Sequence, residues 1–346
     1  MKGVSVLLDR LAGRAVAVRL VDGALDDLLV APPDDTPLPG TILRGVVDRA
    51  VKGQGGVFLR LPEGTGYLRG AKGLAPGQPV LAMVTGFAEP GKAVPLTGRL
   101  IFKSKYALVT PEAPGLNLSR QIRGGAARDR LSALAEAGMT GSAMGLVIRS
   151  DAAQAEDDAV ADDIAATRQL AEAVTADLDG PPERLLDGPD AHMQAWRDWG
   201  HPDEMIDAPG CLAARGLLDD IAALAGAEVA LPGGGRLWVE GTRALVACDV
   251  DTGADTSPAA GLKTNLAAVR ALPRALRLRG LGGQVVLDPA PMPKKDRRTL
   301  DRALAVALRG DPVETSMIGW TPLGHVELTR KRERRPLDPA FLEALK

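Results

Sequence analysis

Apolar and polar side chains alternate along the first thirty residues with the period of two that is typical of β-strands. The pattern predicts strands at residues 4–8, 14–20 and 26–30. The tripeptide Val21-Asp22-Gly23 favours a hairpin turn between the last two strands. A proline-rich stretch at residues 31–39 then ends the alternation, which indicates a boundary between structural units.

Residues 40–98 contain only short strand patterns, separated by glycines. Five such strands in so short a segment favour a small closed barrel. The predicted strands are residues 41–50, 55–61, 66–68, 79–85 and 93–97.

Residues 106–178 combine strand and helix patterns, which indicates a small α/β unit. Glycine and proline recur through residues 179–210, so this part is expected to be irregular. The predicted strands are residues 106–110 and 144–149, and the predicted helices are residues 126–136, 153–178 and 211–225.

Two apolar strands that end in aspartate follow in the last third of the chain. A hairpin is predicted at residues 236–249, and its second strand, expected to be buried on both faces, ends at Asp249. A helix follows at residues 262–279, and Pro273 is expected to break it near Leu272. The next buried strand, residues 284–287, ends at Asp288.

Carboxylates at the ends of neighbouring strands can hold a hard cation, because the strands fix the oxygens while the open end admits water and substrate. Mg²⁺ prefers oxygen ligands and takes one or two carboxylates with several waters. Aspartates that follow strands are also common as helix caps and turn residues. Spacing alone therefore leaves both readings of Asp249 and Asp288 open.

Charge is unevenly distributed along the chain. Residues 263–335 contain sixteen basic and seven acidic residues, a net charge of +9, so the rest of the chain carries −11. Such an excess predicts a polyanionic partner, because phosphate neutralisation dominates nucleic-acid affinity. Solvated helix faces are the alternative, and this reading is favoured for the basic run at residues 330–335 taken alone.

The remaining composition excludes several classes of protein. Cys211 and Cys248 lie far apart and form no CxxC motif, so neither a disulfide framework nor a zinc site is expected. The three histidines are too scattered for a set of metal ligands, and His325 is expected to be structural. No membrane span or secretory signal is visible, which predicts a cytoplasmic protein.

Two aromatic residues of the predicted barrel, Phe58 and Tyr67, are accompanied by basic residues. Aromatic rings among cations can stack bases and hold a backbone in oligonucleotide-binding barrels. A phenylalanine in a strand of period two more often belongs to the core, so both interpretations stay open. The basic residues are Arg60, Arg69, Lys72 and Lys92.

Four segments occur in a fixed order: residues 248–253 (CDVDTG), 263–266 (KTNL), 277–288 (RLRGLGGQVVLD) and 324–332 (GHVELTRKR). In this order and spacing they resemble the catalytic region of the ribonuclease E/G family. A weaker resemblance extends over nearly the whole chain.

The resemblance implies an α+β fold of several subdomains, in which an OB-type RNA-binding barrel is inserted in a ribonuclease-H-like segment. A 5′-sensor α/β unit and a deoxyribonuclease-I-like catalytic subdomain follow. The implied boundaries are residues 1–37 and 186–224 for the two parts of the ribonuclease-H-like segment, 38–98 for the barrel, 99–185 for the sensor and 225–346 for the catalytic subdomain.

The resemblance also assigns site residues. It makes Asp249 and Asp288 the catalytic pair that binds Mg²⁺, with Mn²⁺ as a possible substitute. Asp251, where the family has asparagine, would support the active site. The residues implied in RNA binding are Phe58, Tyr67 and Lys92 near the cut, with Arg149 and Ser150 at the 5′-monophosphate.

Three departures from the family pattern bear on these expectations. Pro291 stands where the family has a third acid, which would weaken metal binding. Ser104 and Leu108 would narrow the 5′ pocket. The paired cysteines that link protomers through zinc are missing, so neither zinc nor a zinc-linked oligomer is expected.

The resemblance implies a metal-dependent endoribonuclease that cuts single-stranded RNA by activating water, in RNA processing or decay. The products would carry 5′-phosphate and 3′-hydroxyl ends. The alternative is a catalytically weakened paralogue that binds RNA as a regulatory module. Pro291 in place of the third acid and a shortened middle region both favour this alternative. A deoxyribonuclease is the third reading.

Overall fold

The computed structural model describes residues 2–33, 35–51, 55–89 and 91–345. Its α+β chain divides into two compact units. The first combines Met1–Pro33 with Pro202–Lys346, and the second is Asp34–His201. The second unit is thus inserted into the first along the chain. Asp34, in the boundary predicted from proline content, lies outside the described residues.

The three predicted N-terminal strands are confirmed and are somewhat longer than expected. They are β1 (Val4–Leu11), β2 (Arg14–Val21) and β3 (Ala24–Val30). Both connections are antiparallel hairpins. The predicted turn holds Asp22 and Gly23 at positive φ, a conformation that glycine adopts without steric cost.

The predicted five-stranded barrel is also confirmed. Its strands pair in the order β4-β5-β6-β8-β7, and β7 pairs with β4 to close the ring. The leucines and valines of alternate positions fill the interior. The strands are β4 (Ile42–Val51), β5 (Gly56–Arg60), β6 (Thr65–Arg69), β7 (Pro79–Val84) and β8 (Val94–Thr97).

A four-stranded sheet covered by two helices follows the barrel. Its order is β11-β12-β10-β9, and apolar residues of both helices pack against it. The elements are β9 (Phe102–Lys103), β10 (Ala107–Thr110), β11 (Leu116–Leu118), α1 (Gly125–Gly138), β12 (Gly145–Ile148) and α2 (Asp157–Ala176). This arrangement confirms the α/β character predicted for the region.

The expectation that residues 179–210 are irregular is wrong. Strand β13 (Glu183–Leu186) pairs with β4, helix α3 spans Ala191–Asp198, and strand β14 (Glu204–Ile206) pairs in parallel with β1. The strands depend on partners that are distant in sequence, and the N-cap Asp190 initiates the helix by accepting a hydrogen bond from the Met193 amide. Glycine and proline in this region mark the turns between the elements.

The helix predicted at residues 211–225 is divided. Helix α4 (Cys211–Ala214) and helix α5 (Leu217–Ala222) are separated at Gly216, which has φ of 69°. Their buried leucines and Ile221 pack on the sheet of β1, β2 and β3. A single turn of 3₁₀-helix then completes the segment.

A six-stranded sheet forms the C-terminal part of the first unit. Its order is β15-β16-β17-β18-β20-β19, and within it β17 and β18 run in parallel. Helices α6 and α7 pack on one face. The elements are β15 (Glu228–Ala230), β16 (Arg236–Gly241), β17 (Val246–Asp251), α6 (Ala260–Leu278), β18 (Gly283–Asp288), α7 (Arg297–Arg309), β19 (Thr315–Trp320), β20 (Val326–Arg330) and α8 (Pro339–Glu343).

The predicted break in α6 is wrong, since the helix continues through Pro273 to Leu278. A proline inside a helix removes one backbone hydrogen bond and costs about 3 kcal/mol in an exposed helix. Here Leu272, Pro273 and Leu276 are all buried. Burial of this apolar stripe offsets the lost hydrogen bond, because each large side chain removed from water contributes roughly 1.5–3 kcal/mol.

The expectation that β17 is buried on both faces is also wrong. Val246, Cys248 and Val250 face the core, whereas Asp249 is exposed. Strand β18 alternates in the same way. Each strand therefore has one apolar face against the helices and one more accessible face, and this second face bears both aspartates.

Several basic residues of the C-terminal excess form ion pairs within the first unit. Arg277 and Arg330 both contact the fully buried carboxylate of Asp311, at 3.2 and 3.3 Å. Arg277 also contacts Asp26 and Asp27 of β3. The sequence allows residues 330–335 to be either a solvated basic run or a surface for a polyanion. Neither interpretation holds for the whole run, because Arg330 is buried and is not available to a polyanion.

Among the described residues, none of the helices has the length and apolar character that crossing a membrane requires.

Replacing Asp311 by alanine should destabilise the first unit by about 3–5 kcal/mol, because two buried guanidinium groups lose their shared carboxylate. Urea unfolding followed by circular dichroism measures the change. Lys331→Ala is the control, since its ion pair with Glu314 is solvent-exposed and worth less than about 1 kcal/mol. Equal unfolding midpoints for the two variants would contradict the prediction.

Candidate active site and nucleic-acid contacts

Asp249 and Asp288 lie side by side on neighbouring strands. They are in register in the parallel β17–β18 pair, so both carboxylates project from the same face at adjacent positions. Neighbouring strands are about 4.8 Å apart. The Asp288 side chain retains 61% of its accessible surface. The structure thus brings together the two residues that the sequence proposes as a metal-binding pair.

The same row across the sheet contains two further residues. Trp238 of β16 pairs directly with Asp249. On the other side, His325 Nε2 lies 3.7 Å from Asp288 Oδ1. Sequence reasoning did not select Trp238 and gave His325 a structural role only. The alternation of Leu237, Trp238 and Val239 could have placed the tryptophan on the accessible face.

A tight turn fixes His325 beside the acid pair. The backbone amide of His325 donates to the Thr321 hydroxyl, and the Thr321 amide donates to the His325 carbonyl. This turn connects β19 with β20. The imidazole consequently stands next to Asp288 and can form hydrogen bonds at the edge of the site.

Asn265 fixes the chain directly after Asp288. Its Nδ2 donates to the Ala290 carbonyl at 2.8 Å, and its Oδ1 accepts from the Ala290 amide at 2.9 Å. The asparagine is 1% exposed, so no water replaces these bonds. Helix α6 approaches the same loop closely at Gly261, where a Cβ would collide with the carbonyl oxygen of Pro291.

Asp251 has local structural partners. Its Oδ1 accepts a hydrogen bond from the Gly253 amide at 2.9 Å, and its Oδ2 lies 3.9 Å from Arg236 Nη1. It lies two residues beyond Asp249, and therefore on the same face of β17. The contacts stabilise the turn after the strand. Its support of an active site stays a prediction.

The donor set at this edge fits a hydrated Mg²⁺, which takes one or two carboxylates and keeps several waters. Asp249 and Asp288 would be these ligands. No group of three or more His, Cys, Asp or Glu side chains within the described ranges is arranged to hold a metal ion. Burial raises the pKa of Cys248 to about 12, so the thiol next to Asp249 is protonated and packs in the core.

The barrel brings Phe58, Tyr67 and Lys92 to one open cleft of about 600 Å³. Phe58 and Tyr67 pair across β5 and β6, with ring centroids 5.5 Å apart and planes tilted by 58°. Both rings are only partly buried and face outward, whereas their strand neighbours fill the barrel. Phe58 is therefore not a barrel-core residue.

Cations lie close to these rings. The Arg49 guanidinium carbon is 5.2 Å from the Phe58 ring centroid. Lys92 lines the same cleft, and its Nζ forms an ion pair with Glu89 Oε2 at 2.6 Å. Gly56 gives the neighbouring ring room, because a Cβ there would lie 2.6 Å from the Tyr67 hydroxyl oxygen. The cleft thus combines stacking surfaces with positive charge, which is the chemistry that single-stranded nucleic acids require.

Arg149 is held by internal partners. Its Nη1 donates to the carbonyl oxygens of Ser104, Lys105 and Arg197, and its Nη2 donates to Asp198 Oδ1 at 2.9 Å. A terminal phosphate would have to compete with these bonds. Ser150 directly follows in a 3₁₀ turn. The 5′-phosphate role of both residues stays a prediction.

Asp198 is shared by three cations. Lys103 Nζ, Arg149 Nη2 and Arg197 Nη2 lie at 2.8, 2.9 and 2.9 Å from its oxygens. Burial acts to raise the pKa of Asp198, but the hydrogen bond and charge of Arg197, together with Lys103, outweigh it and lower the pKa. Burial lowers the pKa of Lys103 against the attraction of Asp198. The cluster has more positive than negative charge.

Ser104, which the sequence placed in the 5′ pocket, has a structural partner. Its hydroxyl donates to Asp163 Oδ2 at 2.5 Å, and the Tyr106 amide donates to the same oxygen at 2.9 Å. These bonds connect the loop before β10 with α2.

Comparison with known proteins gives one consistent result. The ribonuclease E/G family matches the chain over residues 102–208 and 207–333. These ranges contain both aspartates of the candidate site, the row beside them and the Asp198 cluster.

Individual relatives agree. Ribonuclease E of Nostoc is 29% identical in an alignment of 360 residues, gaps included, which covers 87% of this chain and 52% of that protein. Ribonuclease G of Salmonella typhimurium is 40% identical over 120 residues, which cover 32% of this chain and 24% of that protein. The chain spans about half the length of the ribonuclease E relatives it matches, at 52% and, for Synechocystis, 46%.

Replacing Asn265 by alanine should leave the amide and carbonyl of Ala290 without partners and destabilise the protein by about 1–3 kcal/mol. Hydrogen exchange of the Ala290 amide should accelerate, because its acceptor is removed. Asn117→Ala is the matched control, since that exposed asparagine should change stability by less than about 0.5 kcal/mol. Unchanged protection at Ala290 would show that Asn265 does not fix this loop.

Proposed function

The chain belongs to the ribonuclease E/G family, and on this premise we propose that it is a metal-dependent endoribonuclease acting on single-stranded RNA in cytoplasmic processing or decay. One observation carries the proposal: Asp249 and Asp288 are in register on parallel strands and project from the accessible face of the sheet. The proposal includes the finer organisation implied by the family, with an OB-type barrel, a 5′ sensor and ribonuclease-H-like and deoxyribonuclease-I-like segments.

When bound, a divalent cation activates water as a nucleophile and offsets the charge of the attacked phosphate. Asp249 and Asp288 would hold that cation, with Mg²⁺ favoured and Mn²⁺ as a substitute. Asn265 restricts the backbone after Asp288, so the second carboxylate keeps its position relative to the first. Asp251 would maintain the turn beyond β17. Cleavage would leave 5′-phosphate and 3′-hydroxyl ends.

The barrel would bind the RNA strand near the cut. Phe58 and Tyr67 offer ring faces for bases, while Lys92 and Arg49 offer positive charge for phosphates. Aromatic stacking tolerates any sequence, because every base has a π-face. In this proposal Arg149 and Ser150 recognise the 5′ end, in competition with the internal partners of Arg149.

A weakened paralogue that only binds RNA is the second candidate, and Pro291 at the third acid position favours it. Titration of Mg²⁺ and Mn²⁺ against cleavage of a fluorescent RNA oligonucleotide separates the two candidates. Tight binding without cleavage at any metal concentration would support the binding module. A matched DNA oligonucleotide tests the deoxyribonuclease reading in the same assay.

Replacing Asp249 by asparagine should reduce cleavage by more than about 100-fold, because loss of a direct metal ligand exceeds the 10- to 100-fold effect typical of an outer partner. RNA binding measured by fluorescence anisotropy in chelator should not change. Glu240→Gln is the matched control, since Glu240 is an exposed acid at the other end of the same face. Full cleavage by Asp249→Asn would refute the proposed catalytic pair.

Replacing Phe58 or Tyr67 by alanine should weaken binding of single-stranded RNA by about 1–3 kcal/mol, because a stacking surface is lost. Anisotropy titrations at one salt concentration measure the change. Tyr67→Phe is the control, because it retains the ring and should bind within about twofold of the wild type. If Tyr67→Ala binds as tightly as Tyr67→Phe, the ring does not contact RNA.

A further inference from the structure

A second aromatic surface lies outside the barrel cleft and the acid pair. Trp196 on α3 is 42% exposed, and Lys105 Nζ lies 4.6 Å from the centroid of its ring. Large aromatic side chains are usually buried for most of their surface. Trp196 and Lys105 are named here the Trp196–Lys105 platform.

Arg149 holds the backbone on both sides of the platform. The guanidinium of Arg149 donates to the Lys105 carbonyl on one side and to the Arg197 carbonyl, next to Trp196, on the other. Asp198 then joins Arg149 with Lys103 and Arg197. A backbone held in this way loses little conformational freedom when a ligand binds.

The local charge favours an anionic ligand. Within the part of the chain that the structure describes, Lys105 has no ion pair, and three cations share the carboxylate of Asp198. About a third of the Lys103 side chain remains accessible. Two acids on the Tyr106 side, Asp163 and Asp151, oppose this positive charge. Burial, and after it the negative charges of these two acids, raises the pKa of Tyr106. Phosphate is therefore expected on the Lys103 and Lys105 side.

A purely structural cation–π contact would also explain why Lys105 lies over Trp196. Such a contact does not account for the exposed part of the ring or for the excess of cations around Asp198. An exposed ring beside unneutralised cations is the combination that binds single-stranded nucleic acid.

We propose that the Trp196–Lys105 platform binds single-stranded RNA, with one base stacked on Trp196 and a neighbouring phosphate at Lys105 and Lys103. This inference rests on the proposed function and adds to it an RNA contact outside the barrel, next to Arg149, which the proposed function assigns to the 5′ end. Its role is to hold the substrate strand, and it takes no part in the cleavage step.

The test uses the full chain and a fluorescent single-stranded RNA oligonucleotide in chelator, so that binding is measured without cleavage. Trp196→Ala should bind roughly 5- to 150-fold more weakly, which corresponds to one lost stacking contact. Trp196→Phe should recover much of the affinity. Met193→Ala, an exposed residue three positions earlier on the same helix, should bind within about twofold of the wild type.

Salt dependence tests the phosphate contact separately. Lys105→Gln should lower the slope of log affinity against log salt by about 0.7, the value for one phosphate on a single strand. Trp196→Ala should leave that slope unchanged. RNA carrying 5-iodouridine should also crosslink to Trp196 under ultraviolet light, as located by mass spectrometry of the digested protein.

The outcomes separate this inference from the proposed function. If Trp196→Ala binds like the wild type while Tyr67→Ala binds more weakly, the platform is refuted and the proposed function stands. Equal losses for Trp196→Ala and Met193→Ala would show a nonspecific apolar face, such as one for a protein partner, and would also refute it. If the wild type does not bind RNA at low salt, both proposals fail.

Discussion

The parallel pairing of β17 with β18 is the constraint on which the candidate site depends. Parallel strands end at the same edge of a sheet, so the residue pair Asp249 and Asp288 arises from register alone. Helix α6 makes this pairing possible, because a parallel connection needs a crossover that packs back on the sheet. Its buried Asn265 then secures the loop after the second aspartate. The crossover therefore connects the two strands and also fixes the loop that follows Asp288.

Local patterns were sufficient to predict much of this architecture. Alternation of period two located β1 to β3 and the barrel strands, and the end of each apolar strand located Asp249 and Asp288. The failures share a cause, which is dependence on distant partners. Strands β13 and β14 form against β4 and β1, and no local pattern reports those partners. Pro273 is tolerated because of burial, which becomes visible only in the folded chain.

Charge shows the same limit of sequence reasoning. The C-terminal excess of arginine suggested a surface for a polyanion, yet Arg277 and Arg330 are buried against Asp311. Net charge gives no information about pairing, because an acid far away in sequence can neutralise a cation in space. The accessible positive charge lies partly elsewhere, near Asp198 and in the barrel cleft. The positions of Trp238 and His325 beside the proposed catalytic pair likewise follow from register and a turn.

The insertion of the second unit into the sequence of the first has a consequence for synthesis on the ribosome. Strand β14 is synthesised only after residues 31–203, which follow β3. Strand β1 therefore has no parallel partner until that stretch of chain has been made. The inserted unit, which is contiguous from Asp34 to His201, can form its contacts during the same period. Vectorial translation thus completes the chain of the inserted unit before that of the first unit. The N-terminal hairpins meanwhile present an unpaired edge to the nascent-chain environment.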